Sequence, residues 1–180
     1  VSLTDTVHQS LDFSLLKSIT GIELQAGTTV NGATITTTLG ANQTLTLDSI
    51  TDGDTATASL ADGGIKIAQA NSITSLDLTL DDIGPAAANT NTNVVIDVAG
   101  TGVATANITS ANTTFVVLEN SGNTISTLNL TGSGTLGIQG TLANSITTIN
   151  GTNSSANLTL TSGTGDDTIT GGSGNDNITL

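Results

Sequence analysis

The segment 162–179 consists of two consecutive nine-residue stretches with the same pattern, and this short period restricts the possible folds more than any other feature of the chain. The first stretch reads SGTGDDTIT and the second reads GGSGNDNIT. Their shared form is Gly-Gly-x-Gly-x-Asp-x-aliphatic-x, with Ser162 in place of the first glycine. The equivalent positions of the two stretches are Gly163 and Gly172, Gly165 and Gly174, Asp167 and Asp176, and Ile169 and Ile178. A unit this short must stack on its neighbours to bury its aliphatic residue, so the pattern predicts a solenoid.

Each position of the nonapeptide has a physical role. The glycines allow a tight turn whose carbonyl groups point at a cation, and the Asp supplies a hard anionic oxygen, the ligand type that Ca²⁺ prefers. The residues after each Asp predict a short strand with one aliphatic side chain facing inward. The predicted metal ligands are Gly163, Gly165, Asp167, Gly172, Gly174 and Asp176. The alternative is a set of ordinary Gly/Asn/Asp turns that bind no metal.

The repeated pattern resembles the calcium-binding nonapeptide of RTX proteins. This resemblance implies a parallel β-roll, export by type I secretion from a Gram-negative bacterium, and folding outside the cell where calcium is present. It also implies that two nonapeptides make one coil, that each Ca²⁺ is shared between repeats i and i+2, and that Asp167 and Asp176 lie at opposite edges in different sites. The preceding register positions, Ser154, Ala156 and Leu158, carry no carboxylate. We therefore expect half-sites whose partners belong to later repeats.

Two further acidic pairs are weaker candidates for calcium ligands. Asp52 and Asp54 flank a glycine, and Asp81 and Asp82 are adjacent beside a turn signal. Calcium commonly gathers such carboxylates together with backbone carbonyls. Solvated turn residues are the favoured interpretation, because Asp forms turns without any metal.

The composition favours a solenoid along the whole chain. There is no Cys, Met, Trp or Tyr, and Phe13 and Phe115 are the only aromatic residues. Stacked coils can bury small aliphatic residues in rows without large side chains, and abundant Thr, Asn, Ser and Gly favour strands and turns. We predict an all-β fold: a parallel β-helix or β-roll solenoid-like stack of short strands that ends in a calcium-binding β-roll.

A looser repeat and one long polar segment suggest how the chain is divided. The form Ser/Thr-Ile-Thr/Ser-x-Ile/Leu-x-Leu recurs in segments that begin at Lys17, Asn71, Asn123 and Asn144, at irregular intervals. The only proline, Pro85, lies in a segment without bulky apolar residues. We predict a β-rich unit at 1–84, a solenoid-like unit at 94–161, and the start of the calcium-binding roll at 162–180, with the last two forming one continuous solenoid as the alternative.

One short segment near the start has helical character. Thr4 or Asp5 could cap a turn that places Val7, Leu11, Leu15 and Ile19 on one face. The alternation of Leu11, Phe13 and Leu15 fits a strand equally well.

The charge distribution excludes some classes of partner. Fifteen acidic residues are opposed only by Lys17 and Lys66, for a formal net charge of −13. Nucleic-acid binding needs clustered Lys and Arg to neutralise phosphates, and contact with a cell-surface polysaccharide would need a bridging cation. The acidity suits a protein that condenses divalent cations. Because the chain has no Cys and can form no disulfide, a bound metal is the more plausible means of stabilising an extracellular protein of this kind. No apolar run is long enough for a membrane span.

The sequence offers little support for catalysis. His8 is the only histidine, and neither Gly-x-Ser-x-Gly nor His-Glu-x-x-His occurs. We therefore predict that this chain is not an enzyme.

The leading functional hypothesis is structural. The acidic, Cys-free, Thr-rich composition resembles that of Gram-negative surface-layer proteins, which implies a secreted cell-surface protein that assembles with copies of itself into a calcium-dependent layer. One alternative is a binding module of a large RTX adhesin, and another is the non-catalytic C-terminal part of an RTX-secreted enzyme. An ice-binding variant would use Thr-x-Thr stretches, although their uneven spacing argues against it. These stretches are Thr34-x-Thr36-x-Thr38, Thr44-x-Thr46 and Thr159-x-Thr161.

Overall fold

The computed structural model describes residues 2–3, 10–25, 34–51, 64–69, 73–84 and 94–180. Within these ranges it contains sixteen β-strands and no helix, and so no apolar helix that could cross a membrane. The odd-numbered strands are β1 (Ser2–Leu3), β3 (Gly21–Gln25), β5 (Thr44–Asp48), β7 (Ser75–Asp81), β9 (Thr105–Ser110), β11 (Thr127–Gly132), β13 (Thr148–Asn150) and β15 (Thr168–Thr170). The even-numbered strands are β2 (Ser10–Asp12), β4 (Thr34–Leu39), β6 (Gly64–Gln69), β8 (Val94–Val98), β10 (Thr114–Glu119), β12 (Leu136–Thr141), β14 (Leu158–Thr161) and β16 (Asn177–Thr179).

The strands form two parallel sheets, and successive strands of the chain belong alternately to one sheet and to the other. All odd-numbered strands belong to one eight-stranded sheet and all even-numbered strands to the other, each in sequence order. From β3 onward, each strand therefore pairs in parallel with the strand two places earlier, and one odd plus one even strand make one coil. This arrangement confirms the predicted all-β, solenoid-like parallel fold.

The core consists of aliphatic columns that run from coil to coil. In the odd-numbered sheet, Leu76, Ala106, Leu128 and Ile149 occupy equivalent register positions on four successive strands, and all four are buried. The burial alternates along many of the strands, as in β9 and β11, because successive side chains of a strand point to opposite faces. Small and medium aliphatic residues are sufficient because each coil supplies only a few inward positions between the two sheets.

The coils differ in length, and the longest do not lie at the start of the solenoid. Ser2 pairs with Glu23 in the first coil and Thr127 pairs with Thr148 farther along, and both pairings span much less chain than that of Leu45 with Leu78. The last pairing, Thr159 with Asn177, is shorter again and spans the length of two nonapeptides. The coil implied by the RTX resemblance is therefore present at the C-terminal end.

Near the N-terminus, where the sequence fitted a helix and a strand equally well, the described residues contain a strand and no helix. Residues 10–12 form strand β2, and Phe13 is buried while Leu15 is 82% exposed. The helical interpretation is therefore wrong over 10–19, because residues 10–12 pair with β4 as a strand and the residues after them form turns. The strand interpretation holds only as far as Asp12, since Leu15 lies in a turn. Thr4, Asp5 and Val7 lie outside the described residues.

The looser sequence repeat marks one corner of the solenoid. Ile73, Ile125 and Ile146 are all buried in the turns that lead into odd-numbered strands. Irregular intervals arise because coil lengths differ and because other coils carry different residues at this corner.

Both sheets continue across the segment that contains Pro85, since β6 pairs with β8 and β7 with β9. The division into units at 84 and 94 stays a prediction.

Candidate functional site

The two nonapeptide aspartates lie at opposite edges of the solenoid. Asp167 ends the turn that leads from β14 into β15, in the odd-numbered sheet. Asp176 ends the turn that leads from β15 into β16, in the even-numbered sheet. The structure therefore keeps the two carboxylates apart. The two-repeat coil implied this separation.

The glycines of the second nonapeptide allow its turn to stack directly on the coil below. A Cβ atom added to Gly172 would overlap the carbonyl oxygen of Ser154, and one added to Gly174 would overlap that of Ala156. The members of each pair are two nonapeptides apart along the chain, which matches the predicted register. Glycine is required here by the close approach of two backbones.

Asp176 has two hydrogen-bond partners on the protein backbone. Its Oδ1 accepts a bond of 3.0 Å from the backbone N–H of Leu158, in the coil below. Its Oδ2 accepts a bond of 2.9 Å from the backbone N–H of Gly172, within its own turn. The carboxylate therefore closes its turn and joins two coils, and each oxygen retains a further lone pair that could accept another partner.

Asp167 has a different environment. Among the residues that the structure describes, its carboxylate makes no hydrogen bond, and it is partly exposed. Together with Asp166 and Leu180 it lines an open groove of about 500 Å³ at the end of the solenoid. Gly165 has a φ of +146°, with open space where a Cβ would lie. The first nonapeptide therefore presents a free carboxylate, whereas the second presents an occupied one.

Two asparagines that the sequence interpretation missed hold the nonapeptide turns. The Oδ1 atom of Asn144 accepts a bond of 2.9 Å from the backbone N–H of Thr164. At the other edge, Oδ1 of Asn157 accepts a bond of 2.9 Å from the backbone N–H of Asn175. Each asparagine lies one coil before the turn that it caps. This relation becomes recognisable only when the coil length is known.

The described residues do not contain a complete cluster of metal-binding side chains. No group of three or more His, Cys, Asp or Glu residues in these ranges is close enough to hold one ion. The predicted half-sites each supply one carboxylate, so the remaining ligands would be backbone carbonyls and groups of a neighbouring coil. This donor set is chemically suited to Ca²⁺, which accepts carbonyl and carboxylate oxygens in flexible geometries.

The weaker acidic candidates have structural partners or lie outside the described residues. Oδ1 of Asp81 accepts a bond of 2.6 Å from the side-chain amide of Asn112. Asp82 is exposed and has a φ of 53°, which is typical of a turn. Asp52 and Asp54 fall outside the described ranges.

A further carboxylate pair lies on the outer face of the even-numbered sheet, where no sequence motif pointed to a site. Asp97 is fully buried and accepts bonds from the backbone N–H and the Oγ of Ser121, at 2.9 and 2.6 Å. Glu119 is its register neighbour on β10. Burial, and secondarily the charge of Asp97, raise the pKa of Glu119 above its ordinary value.

No protein-family model matches the sequence, and comparisons with curated proteins and with solved structures give no significant match.

Proposed function

We propose that this chain is part of a secreted structural protein of a bacterial cell surface, which assembles with copies of itself into a calcium-dependent layer. The observation that carries the proposal is the C-terminal coil. It has the length of two nonapeptides, and it presents one Asp at each edge beside stacked glycine turns. The RTX-like pattern and this coil length are independent features, because the first is a residue pattern and the second is a backbone register.

The charge of the chain supports a structural role for divalent cations. A net charge of −13 on a solenoid creates self-repulsion that opposes compact packing and close approach between copies. Bound Ca²⁺ would reduce this repulsion within a coil and between neighbouring molecules. A solenoid also suits an extended assembly, because each coil contacts only its neighbours and the stack can be lengthened coil by coil.

The two nonapeptides are expected to differ in their response to calcium. Asp167 is free to bind an ion through its carboxylate, together with carbonyl groups of its glycine turn. Asp176 would have to share its oxygens with the N–H groups of Leu158 and Gly172. Calcium therefore should change the first turn more than the second.

A calcium titration of the whole chain tests the proposal. Free Ca²⁺ at about 100 times its dissociation constant stabilises a protein by about 2.7 kcal/mol if it binds only the folded state. For a chain of this size this raises the melting temperature by roughly 5–10 °C. Asp167→Asn should abolish part of this rise without changing the melting temperature in EDTA. Electron microscopy should show ordered assemblies in calcium that dissolve on chelation.

Two results would contradict the proposal. The first is an assembly that persists, with equal heat stability, in excess EDTA. The second is a calcium-induced rise in melting temperature that is identical in the wild type and in Asp167→Asn.

A binding module of an adhesin is the second candidate function. It is favoured by the outer face of the odd-numbered sheet from β9 to β15, whose side chains are the hydroxyls and amides of Thr and Asn. A chain that stays monomeric in calcium but still binds calcium would support this alternative over the layer.

A further inference from the structure

Three ionisable side chains lie in one register row on the outer face of the even-numbered sheet. Lys66 on β6 is the register partner of Asp97 on β8, and Asp97 is the register partner of Glu119 on β10. The neighbouring pair, Ile65 and Ile96, is buried in the core, so the ionisable residues point to the opposite face. Because the three residues belong to different coils, only the pairing of the strands brings them together.

The side chain of Lys66 can reach the carboxylate of Asp97. Neighbouring strands lie about 4.8 Å apart, and the flexible four-carbon stem of a lysine can span that distance. Lys66 is half-buried, whereas Lys17, the other lysine of the chain, is exposed in the turn after β2. The fold therefore places one of the two lysine amines of this protein beside a carboxylate.

Asp97 lies in an environment that disfavours a charge. It is 0% exposed, and in the described part of the chain its hydrogen bonds come from Ser121 alone. The backbone N–H of Ser121 donates to Oδ1 at 2.9 Å, and the Ser121 hydroxyl donates to Oδ2 at 2.6 Å. Both donors are neutral, and a buried carboxylate without a paired cation is strongly destabilising. A reaction that converts Asp97 into a neutral group would remove this cost.

We propose that Lys66 and Asp97 form a covalent amide bond within the chain. The Nζ atom of Lys66 acts as the nucleophile, so that an Nζ–Cγ bond forms and the Cγ–Oδ2 bond of Asp97 breaks. Counted from the ammonium and carboxylate forms, two protons of Nζ leave with Oδ2 as one water molecule. The step changes no oxidation state and needs no co-reactant, and its product is neutral.

The neighbours of Asp97 suit this step. The N–H of Ser121 stabilises the negative charge that develops on Oδ1 when Nζ attacks, and the Ser121 hydroxyl donates to Oδ2, the oxygen that departs. Burial, together with the charge of Asp97, raises the pKa of Glu119. The Glu119 carboxyl group can therefore carry a proton from Nζ to the departing oxygen. It is not consumed, and it affects only the rate at which the bond forms.

The amide bond would tie together two successive coils of the even-numbered sheet. It connects β6 to β8 across the segment that contains Pro85, in a chain without Cys. Like a disulfide, such a cross-link restricts the unfolded chain and thereby stabilises the folded one. None of its residues belongs to the nonapeptides, so the bond does not depend on calcium or on assembly into a layer.

The mass of the whole denatured chain tests the proposal, because an amide bond survives denaturation and an ion pair does not. The wild type should be lighter than its sequence mass by one water molecule. Lys66→Arg keeps the positive charge but removes the amine, and it should have its full sequence mass. Lys17→Arg is the matched control at the other lysine and should lose one water like the wild type. Circular dichroism verifies that both variants fold.

Digestion with trypsin locates the bond, because trypsin does not cleave after a lysine whose Nζ belongs to an amide. The denatured wild type should keep residues 18–180 in one fragment, whereas an unlinked chain is cut after Lys66. In thermal denaturation, Lys66→Arg should melt about 5–15 °C below Lys17→Arg, since it lacks the cross-link.

A folded wild type with its full sequence mass would overturn the proposal. A water loss that persists in Lys66→Arg would also overturn it. That result would assign the loss to cyclisation of an aspartate that precedes a glycine, such as Asp52 or Asp62.

Discussion

Asp176 offers a sharp test of how the C-terminal coil is held together without metal. Its carboxylate accepts one N–H from the coil below and one from its own turn. In Asp176→Asn, the amide group can keep one of these bonds through its oxygen, but its NH₂ group would face the other N–H as a second donor. The variant therefore loses one of the two hydrogen bonds, and the hydrogen bond that remains no longer has a negatively charged acceptor.

The expected magnitude follows from these two bonds. A hydrogen bond to a charged group contributes about 1.5–3 kcal/mol, and partial exposure of Asp176 favours the lower end of that range. A loss of about 1.5–2 kcal/mol corresponds to roughly a 10- to 30-fold increase in the population of the open state. The effect should be local, because the coils of a solenoid contact only their neighbours.

Amide hydrogen exchange in EDTA measures this opening directly, since exchange of a protected amide requires its hydrogen bond to open. The amides of Leu158 and Gly172 should exchange faster in Asp176→Asn by the stated factor. Asp167→Asn is the matched control at the equivalent position of the other nonapeptide, where the described structure has no hydrogen bond to lose, and it should change these rates by less than about twofold. Unchanged rates in Asp176→Asn, or an equal increase in Asp167→Asn, would refute the reasoning.

Three further predictions concern other parts of the solenoid. Gly174→Ala should reduce the free energy of unfolding by about 2–3 kcal/mol, because the new Cβ overlaps the Ala156 carbonyl. Gly21→Ala, with open space at its Cβ position, should be neutral or stabilising by less than about 1 kcal/mol in the same denaturant titration. Burial, with a neighbouring carboxylate, raises the pKa of Glu119, so its contribution to stability is complete at low pH and is lost as the pH rises through the folded-state pKa. Glu119→Gln should therefore raise the melting temperature at about pH 7 but not at about pH 3. The gain in the free energy of unfolding should be no more than about 0.5 kcal/mol, because the group is partly exposed, and a larger effect in acid would contradict this. Gln43→Ala should lower the free energy of unfolding by about 1–3 kcal/mol in thermal denaturation, because the buried Gln43 amide bonds three backbone carbonyls and one N–H. A melting curve identical to that of the wild type would contradict this and would show that those groups find other partners.

The local signals in the sequence predicted much of the candidate site. The resemblance of the nonapeptides to RTX repeats implied a coil of two nonapeptides and the separation of Asp167 from Asp176, and the backbone register has both. The caps supplied by Asn144 and Asn157 could not be predicted. They join residues of different coils, and the coil length varies along the chain.

The N-terminal segment shows the opposite case. Leu11 and Leu15 fit a helix and a strand equally well, and no local preference decides between them. Pairing of β2 with β4 decides for the strand at Leu11, since the fold provides a partner for its backbone groups, whereas Leu15 lies in a turn and belongs to neither element.

By itself, the sequence determined the all-β class, the small aliphatic core and the acidic character of this protein. These properties depend on which residues are present and on their short-range alternation. The tertiary structure alone decided which coils lie in register, and therefore that the threonines and asparagines of β9 to β15 form one array. The physical reason is that turns of different length can close coils of equal width. Asn107, Asn129 and Asn150, unevenly spaced along the chain, therefore become neighbours in one register row of the sheet.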